Sequence, residues 1–334
     1  MTARRRVLGT LGAAALGALL PRSVAAAKVW RVGIFDTHAR ENKDGIGQRT
    51  VGAMRVLGYV EGRDIEYLHR HAGGGSWESH RTQTVAIAHE LVRSRLDAIV
   101  ASGTGATKAL QLVTTTIPIV TNVGDPIGSG FAKSLVRPGG NITGVALVMP
   151  EVHAKALQHL KSIIPGHWTL AVAYWDVSRD SQQSLIAAVE EGARACGIPI
   201  RVVSFKDMDA RQADRALASM RGQGIRALGA FTPIAGIPDE GYDLLMATKY
   251  GLATAPAGEN DVVNGALMSY SPDGAGVDER KAFQLARILR GTPPGEIPFE
   301  TPTTFRLVIN RKTAKILGLT IPREVLVLAD KIYE

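Results

Sequence analysis

Cysteine is almost absent from this chain of 334 residues, which has a single one at position 196. No disulfide can form within the chain, so its stability must come from hydrophobic cores, for which it is long enough. Cys196 itself lies in the amphipathic helical pattern AVEEGARACGI, and we interpret it as a small buried apolar residue rather than a reactive thiol.

A hydrophobic run long enough to cross a membrane is also missing at the N-terminus. The apolar run Val7–Leu20 is shorter than the roughly 20 residues that a spanning helix needs. It follows the basic Arg4–Arg6 and precedes the small residues of Ser23–Ala27, the pattern of a cleavable export signal over residues 1–27. The arginines fit the twin-arginine (Tat) route, with ordinary secretion as the alternative. We therefore predict a periplasmic protein without a lipid anchor, since no cysteine lies near the cleavage point.

Neither blocks of charge nor the common catalytic motifs are found. The formal net charge of +8 falls to +4 (8 minus the four arginines of residues 1–27) without that segment, which argues against a nucleic-acid partner. The chain has no phosphate loop, nucleophile elbow or zinc-binding helix motif, so we predict neither an enzyme nor a cofactor. His69 and His71 would share one face of a strand, but no carboxylate stands beside them at ligand spacing, and no metal site is predicted.

From Trp30 onward, short β-branched runs alternate with longer helical patterns, which is typical of parallel sheets covered by helices on both faces. Strands are predicted at 30–36, 64–71, 97–103, 117–123, 142–148, 170–176, 198–205, 226–232, 265–271 and 305–310. Helices are predicted at 46–57, 78–94, 151–164, 178–196, 278–290 and 311–319. Two such runs, separated by Pro-Gly-Gly-Asn at 138–141, predict two doubly wound, Rossmann-like α/β lobes, with strand 142–148 carrying the chain across.

One glycine-rich turn, SGTGATKA at 102–109, follows a strand and opens a helix. It lacks the third glycine of a dinucleotide fingerprint and follows the third strand of its lobe rather than the first, so nucleotide binding is not predicted. The free N–H groups of such a helix start can still receive an anion such as a carboxylate.

The residues that follow the predicted strands are the candidate ligand contacts, because open α/β sheets bind ligands at the carboxyl ends of their strands. In the first lobe these are Phe35, Asp36, Ser102, Gly103, Thr104, Gly105, Asp125 and Pro126. In the second lobe they are Trp175, Ser178, Thr232, Pro233, Glu259 and Tyr270. The set suits a small polar molecule with an anionic end and an apolar or cationic part. Each residue also has a structural interpretation, as a helix cap for Asp36, Asp125 and Ser178 or as core for the aromatic residues.

Six segments carry a resemblance to a known family: residues 57–67, 89–107, 116–131, 134–145, 266–273 and 302–322. Together they resemble the substrate-binding proteins of bacterial ABC importers, and more narrowly the family that includes tryptophan-binding TrpX-type proteins. The resemblance implies a class B (type I) periplasmic-binding fold, with three crossovers and docking to an ABC permease in the inner membrane. The family usually has proline where this chain has Gly105, which leaves the shape of the anion-receiving turn open.

On this interpretation, residues 28–143 with 272–298 form lobe 1, and residues 144–271 with 299–334 form lobe 2. We expect a monomer that closes about 142–147, 269–272 and 299–304 on an amino acid or related small carboxylate. Backbone N–H groups from Thr104 through Ala106 to Thr107 would receive the carboxylate, and Asp125 an ammonium or hydroxyl group. Tyr174 and Trp175 would stack on an apolar group, while Thr232 and Glu259 would hydrogen-bond. The alternatives are an isomerase or lyase, which turnover would reveal, and a ligand-sensing domain.

Overall fold

A computed structural model of the chain describes residues 28–37, 46–72, 77–174, 179–204, 210–230, 248–256 and 258–334. Its strands are β1 (Trp30–Asp36), β2 (Ile65–His71), β3 (Ala98–Ser102), β4 (Ile119–Val123), β5 (Ile142–Ala146), β6 (Thr169–Tyr174), β7 (Ile200–Ser204), β8 (Ile225–Ala230), β9 (Ala253–Thr254), β10 (Met268–Pro272), β11 (Phe305–Asn310) and β12 (Lys331–Tyr333). Its helices are α1 (Ile46–Val56), α2 (Trp77–Arg93), α3 (Gly103–Val113), α4 (Pro150–Ile163), α5 (Arg179–Cys196), α6 (Ala210–Met220), α7 (Glu259–Val263), α8 (Gly274–Leu289), α9 (Arg311–Ile316) and α10 (Arg323–Leu328).

Lobe 1 is built on a five-stranded sheet in the order β2-β1-β3-β4-β5, in which every neighbouring pair is parallel. Successive residues of a strand point to opposite faces, so Ile34 packs with α1 and α8 while Phe35 packs with α2 and α3. Both faces are therefore covered by helices, and all five residues of β3 are buried. This is the doubly wound arrangement that the sequence predicts.

Lobe 2 contains a second parallel sheet, β7-β6-β8-β9, and a three-stranded sheet, β10-β11-β12. Its larger core cluster combines α4 and α5 with residues of β6, β10 and β11. A smaller cluster packs α6 against the other face of β6 and β8. The two-lobed, Rossmann-like architecture is thus confirmed.

The chain passes between the lobes three times, and backbone hydrogen bonds join these passes. The first lies between β5 and α4, the second between β10 and α8, and the third leads into β11. Glu300 N donates to Gly144 O at 2.9 Å, Ala146 N donates to Glu300 O at 2.8 Å, and Asp273 N donates to Thr304 O at 2.9 Å. The three crossovers therefore form one connected hinge.

Strand β5 differs from the prediction that it carries the chain into the second lobe. It pairs with β4 along its whole length, so the crossing comes after Ala146. Gly144 explains why β5 can lie so near β4: a Cβ at this position would lie 1.8 Å from the carbonyl oxygen of Thr121. A side chain here would clash with the neighbouring strand.

Most predicted boundaries lie within two residues of the observed ones, with exceptions at short or glycine-rich segments. Helix α8 begins at Gly274, four residues before the predicted start, because a glycine-rich sequence weakens the helical pattern there. Strands β9 and β12 have two and three residues, too few to show an alternating pattern, and were not predicted. No helix within the described residues is both long and apolar enough to span a bilayer.

Candidate ligand-binding site

The start of α3 places partly exposed polar backbone at the carboxyl edge of the lobe 1 sheet. Gly103 has φ +84°, a left-handed conformation that glycine adopts without steric cost, and it turns the chain from β3 into the helix. Thr104 is half-buried and Gly105 exposed, whereas Ala106 and Thr107 are buried. Because the first N–H groups of a helix have no partner within it, this turn presents free donors to an anion.

Thr107 fixes the position of this turn rather than offering its side chain to a ligand. Its hydroxyl donates to the Gly103 carbonyl at 2.8 Å and shares a 2.6 Å hydrogen bond with the hydroxyl of Thr121 on β4. Both threonines are fully buried. The side chains of Ala106 and Thr107 therefore belong to the core, and only their backbone atoms remain candidate contacts.

The glycine at position 105 does not determine the shape of the turn. Its φ is not positive, and a Cβ placed on it would meet no atom within 4 Å. The turn depends on Gly103 instead, so the departure from the family's usual proline leaves the helix start regular.

Asp125, which follows β4, uses both carboxylate oxygens within the protein. Oδ1 accepts hydrogen bonds of 2.9 Å from the backbone N–H groups of Ile127 and Gly128. Oδ2 accepts a 2.6 Å hydrogen bond from the hydroxyl of Ser184 on α5, in the other lobe. Although burial alone would raise the pKa of Asp125, these three donors lower it below its usual value. Asp125 therefore links the lobes as an anion.

A buried lysine lies behind the same edge of the sheet. Lys281 of α8 is fully buried, and its Nζ lies 2.7 Å from Asp278 Oδ1 and 3.2 Å from Asn122 Oδ1 on β4. Burial lowers the pKa of Lys281, against the attraction of Asp278 and of Asp36 at the end of β1. This ammonium thus connects α8 to the ends of β1 and β4.

Asp278 extends this network to α1. Its Oδ2 accepts a 2.7 Å hydrogen bond from Arg49 Nε, and its Oδ1 accepts one of 3.1 Å from the hydroxyl of Thr50. The Asp278 side chain is 2% exposed, so hydrogen bonds from two cations and a hydroxyl replace its contacts with water. Helices α1 and α8 are fixed together beneath the carboxyl edge of the sheet.

Besides Ala106 and Thr107, four of the lobe 1 candidates lie in the interior and not on an open surface. Phe35 is fully buried within a core cluster, so its predicted role as an apolar wall is wrong for this structure. Asp36 is 6% exposed and contributes to the charge environment of Lys281. Pro126 is also buried, and its carbonyl accepts hydrogen bonds from Phe131 and Ala132. Ser102, likewise buried, is the residue from which α3 begins.

Glu259, at the start of α7, is occupied by side chains from the C-terminal part of lobe 2. Its Oε1 accepts hydrogen bonds from Lys331 Nζ at 2.7 Å and from the Tyr333 hydroxyl at 2.8 Å, and its Oε2 accepts one from Arg306 at 2.8 Å. The bond from Lys331 is the largest cause of its lowered pKa. These contacts give Glu259 a structural role, and ligand binding by Glu259 stays a prediction.

Tyr270 on β10 lies beside an apolar cavity in lobe 2. Its ring stacks on Phe305 with centroids 5.9 Å apart and is 5.6 Å from the ring of His159 on α4. The cavity has a volume of about 90 Å³ and is lined by residues of α4, α5, β6, β8, the segment after β9, β10 and the first crossover. Among the predicted site residues whose side chains the structure describes, Tyr270 is the one that lines it.

Four predicted contacts of lobe 2, Trp175, Ser178, Thr232 and Pro233, lie outside the described residues. Tyr174 is the last residue of β6, at the carboxyl end where the site is expected, and its side chain is not described. Of the two β2 histidines, His69 lies 6.1 Å from the Tyr67 ring. No metal-binding group of three His, Cys, Asp or Glu side chains occurs among the described residues.

Sequence reasoning missed Ser184 and Lys281. Ser184 lies inside a helix, where a serine carries no signal until the facing lobe is known. Lys281 did carry a signal: it shares the face of α8 with Asp278, three residues earlier, and with the buried Leu285 four residues later. A charged pair on the apolar face of a helix indicates a buried ion pair.

Two solved structures match over 91% of this chain and the whole of theirs, each with a TM-score of 0.79. One is an ABC domain from Streptococcus pneumonia in complex with L-Trp, 22% identical. The other is a conserved domain protein from Vibrio cholerae, 25% identical. A tyrosine-binding protein of Clostridioides difficile is 24% identical over 299 residues, which cover 86% of this chain and 81% of the relative.

The family model described as ABC transporter substrate binding protein matches residues 44–333, which include the start of α3, Asp125, the three crossovers and the apolar cavity. The chain belongs to the family of ABC transporter substrate-binding proteins.

Proposed function

We propose that this protein captures a small amino acid, or a closely related carboxylate, between its two lobes and delivers it to the permease of an ABC importer. The observation that carries the proposal is the open start of α3, which lies at the carboxyl edge of a parallel sheet in a substrate-binding family. Ligands of open α/β sheets bind at this edge. The family context supports capture and release of a solute over its chemical conversion.

The ligand carboxylate would bind to the backbone of Gly103, Thr104, Gly105 and Ala106. These residues form the first turn of an 11-residue helix, whose N–H groups and dipole both favour a negative charge. Helix α3 is a stable support, since Thr107 and Thr121 hold its start against β4. The carboxylate would therefore meet a preorganised set of donors.

Closure of the lobes would complete the site. Ligand contacts drive closure only when they are made in the closed form, so residues of both lobes must take part. The ammonium group of the ligand would lie near Asp125. This carboxylate follows β4 at the same edge of the sheet and accepts a hydrogen bond from Ser184 of lobe 2. Tyr174, Trp175, Ser178 and Thr232 remain the proposed contacts of lobe 2.

Relatives support an amino acid as the ligand. The Clostridioides difficile relative is a tyrosine-binding protein, and the Streptococcus structure holds L-Trp. An amino acid also matches a site that pairs an anion-binding helix start with a carboxylate. We also propose that the signal in residues 1–27 directs export of the protein through the twin-arginine route. In the periplasm, the protein would act as a monomer that docks to an inner-membrane permease.

Thermal unfolding tests this function. The purified protein is heated with each member of a panel of amino acids, small carboxylates, sugars and nucleobases. A ligand at 100 times its Kd adds about 2.7 kcal/mol to the free energy of unfolding and raises the midpoint by several degrees. We expect an amino acid to give the largest rise and to be recovered unchanged. A sugar or nucleobase as the sole hit, or recovery of a product, would contradict the proposal.

A further inference from the structure

The cavity beside Tyr270 is an apolar slot within lobe 2, and we call it the lobe 2 slot. Its walls come from α4, from the end of β8 and from the first crossover. The residues that define it are Leu147, Val152, Ala156, Leu157, Leu228 and Tyr270. Hydrocarbon dominates this lining, so a polar group entering it would lose its bonds to water without replacement.

One lining residue of the slot is hydrogen-bonded to the backbone that precedes Asp125, a predicted ligand contact of lobe 1. Leu147, which lines the slot, donates its backbone N–H to Val123 O at 2.8 Å and to Gly124 O at 3.2 Å. Gly124 directly precedes Asp125. Pro272, at the second crossover, lines the slot as well. A ligand held near Asp125 therefore has an apolar recess beside it, across the hinge.

Among the described residues, the lining of the slot contains no Asp, Glu, Lys or Arg side chain. His153 is the titratable imidazole of the lining, and burial lowers its pKa to about 4, against the opposing charge of Glu151. The Tyr270 ring is fixed by its contacts with Phe305 and His159. A neutral recess with rigid walls selects its occupant by size and apolarity.

The volume of the slot limits the size of that occupant. An apolar cavity that accommodates benzene has a volume of about 150 Å³. The slot, at about 90 Å³, is smaller and suits a branched aliphatic group. We infer that the lobe 2 slot holds the side chain of the ligand, and that the ligand is an aliphatic amino acid such as valine, leucine or isoleucine. This inference rests on the proposed function and differs from the tyrosine and tryptophan of the relatives.

Isothermal titration with single L-amino acids tests the inference. Each buried methylene should strengthen binding about fourfold, so leucine should bind about 50-fold more tightly than alanine. Phenylalanine, tyrosine and tryptophan should bind at least tenfold more weakly than leucine, because their rings exceed the slot. Tighter binding of an aromatic amino acid would overturn the inference while leaving the proposed function intact. Binding of no amino acid would overturn both.

A pair of variants on α4 tests whether the ligand side chain lies in the lobe 2 slot. Ala156→Leu places a larger side chain in the slot and should weaken leucine binding at least tenfold. Gln158→Leu makes the same kind of change on the exposed side of the helix and should alter affinity less than twofold. Unchanged leucine affinity in Ala156→Leu would overturn the inference. If that variant does not fold, Val152→Ala enlarges the slot instead and should raise the affinity for phenylalanine relative to leucine at least fivefold; an unchanged ratio would overturn the inference.

Discussion

The hydroxyl of Ser184 on α5 lies 2.6 Å from Asp125 Oδ2 and joins the two lobes. A hydrogen bond to an ionised carboxylate is worth about 1.5–3 kcal/mol. Because the two residues lie in different lobes, we expect this hydrogen bond to favour a short distance between the lobes before a solute binds. A smaller part of the free energy of ligand binding is then needed to close the lobes.

Ser184→Ala should therefore leave the ligand-free lobes farther apart. We expect a larger radius of gyration by small-angle X-ray scattering and a roughly tenfold weaker ligand affinity, which corresponds to about 1.4 kcal/mol. Ser162→Ala is the matched control, because Ser162 lies on the surface of α4 and bonds only its own helix. Equal radii for the wild type and Ser184→Ala would show that the contact does not hold the lobes.

Two glycines at the start of α3 should respond in opposite directions to alanine. Gly103→Ala forces a side chain into a left-handed conformation and should cost about 1–2 kcal/mol in the free energy of unfolding. Gly105→Ala finds open space in a helix and should stabilise by about 0.5–1 kcal/mol. Urea denaturation of both variants measures the difference. Destabilisation by Gly105→Ala would mean that the first turn of α3 is not regular.

Removing one partner of the buried pair Asp278 and Lys281 should lower the free energy of unfolding more than removing both. Asp278→Ala leaves a buried ammonium without its carboxylate and should cost about 3–5 kcal/mol. The double variant Asp278→Leu, Lys281→Met replaces the pair by apolar groups and should cost less. A double-mutant cycle by urea denaturation gives the coupling energy. Additive losses would show that the two side chains do not depend on each other.

The network around Glu259 should make stability depend on acid pH. The folded pKa of Glu259 lies below its unfolded value near 4.5, so its contribution is complete above that pH and is lost as the pH falls through the folded pKa. Glu259→Gln should cost about 1–2 kcal/mol at pH 7, and this loss should shrink as the pH falls below 4.5 toward the folded pKa. Glu334→Gln breaks an exposed pair with Arg311 and should change little at either pH. A loss that stays constant from pH 7 to pH 3 would contradict an ionic role for Glu259.

The sequence predicts the fold well because regular packing leaves local patterns. The alternation of β-branched runs and amphipathic helices located ten strands, and Gly197 and Gly291, both with positive φ in the structure, indicated where α5 and α8 end. The short β9 and β12 leave no such pattern. The first crossing was placed too early, because the pairing of β5 with β4 depends on Gly144 and its contact with Thr121.

The site was less predictable because it depends on tertiary contacts. The rule that ligands bind after strands predicts contacts at the α3 start and at Asp125, but it cannot distinguish Phe35, which lies in the core, from an exposed aromatic residue. The partners of Glu259 are also hidden in the sequence. Its carboxylate accepts hydrogen bonds from Arg306, Lys331 and Tyr333, which lie far along the chain. The lobe 2 slot combines residues from seven elements and crossovers, a combination that no local pattern reveals.

According to the proposed function, one amino acid binds between the lobes and leaves the protein chemically unchanged. Equilibrium dialysis measures this most directly: the protein is unfolded, freed of ligand, refolded and dialysed against a mixture of radiolabelled L-amino acids, and the retained label is separated by chromatography. We expect one molecule of an unmodified amino acid per chain. Retention of no label, or of a chemically altered product, would contradict the account.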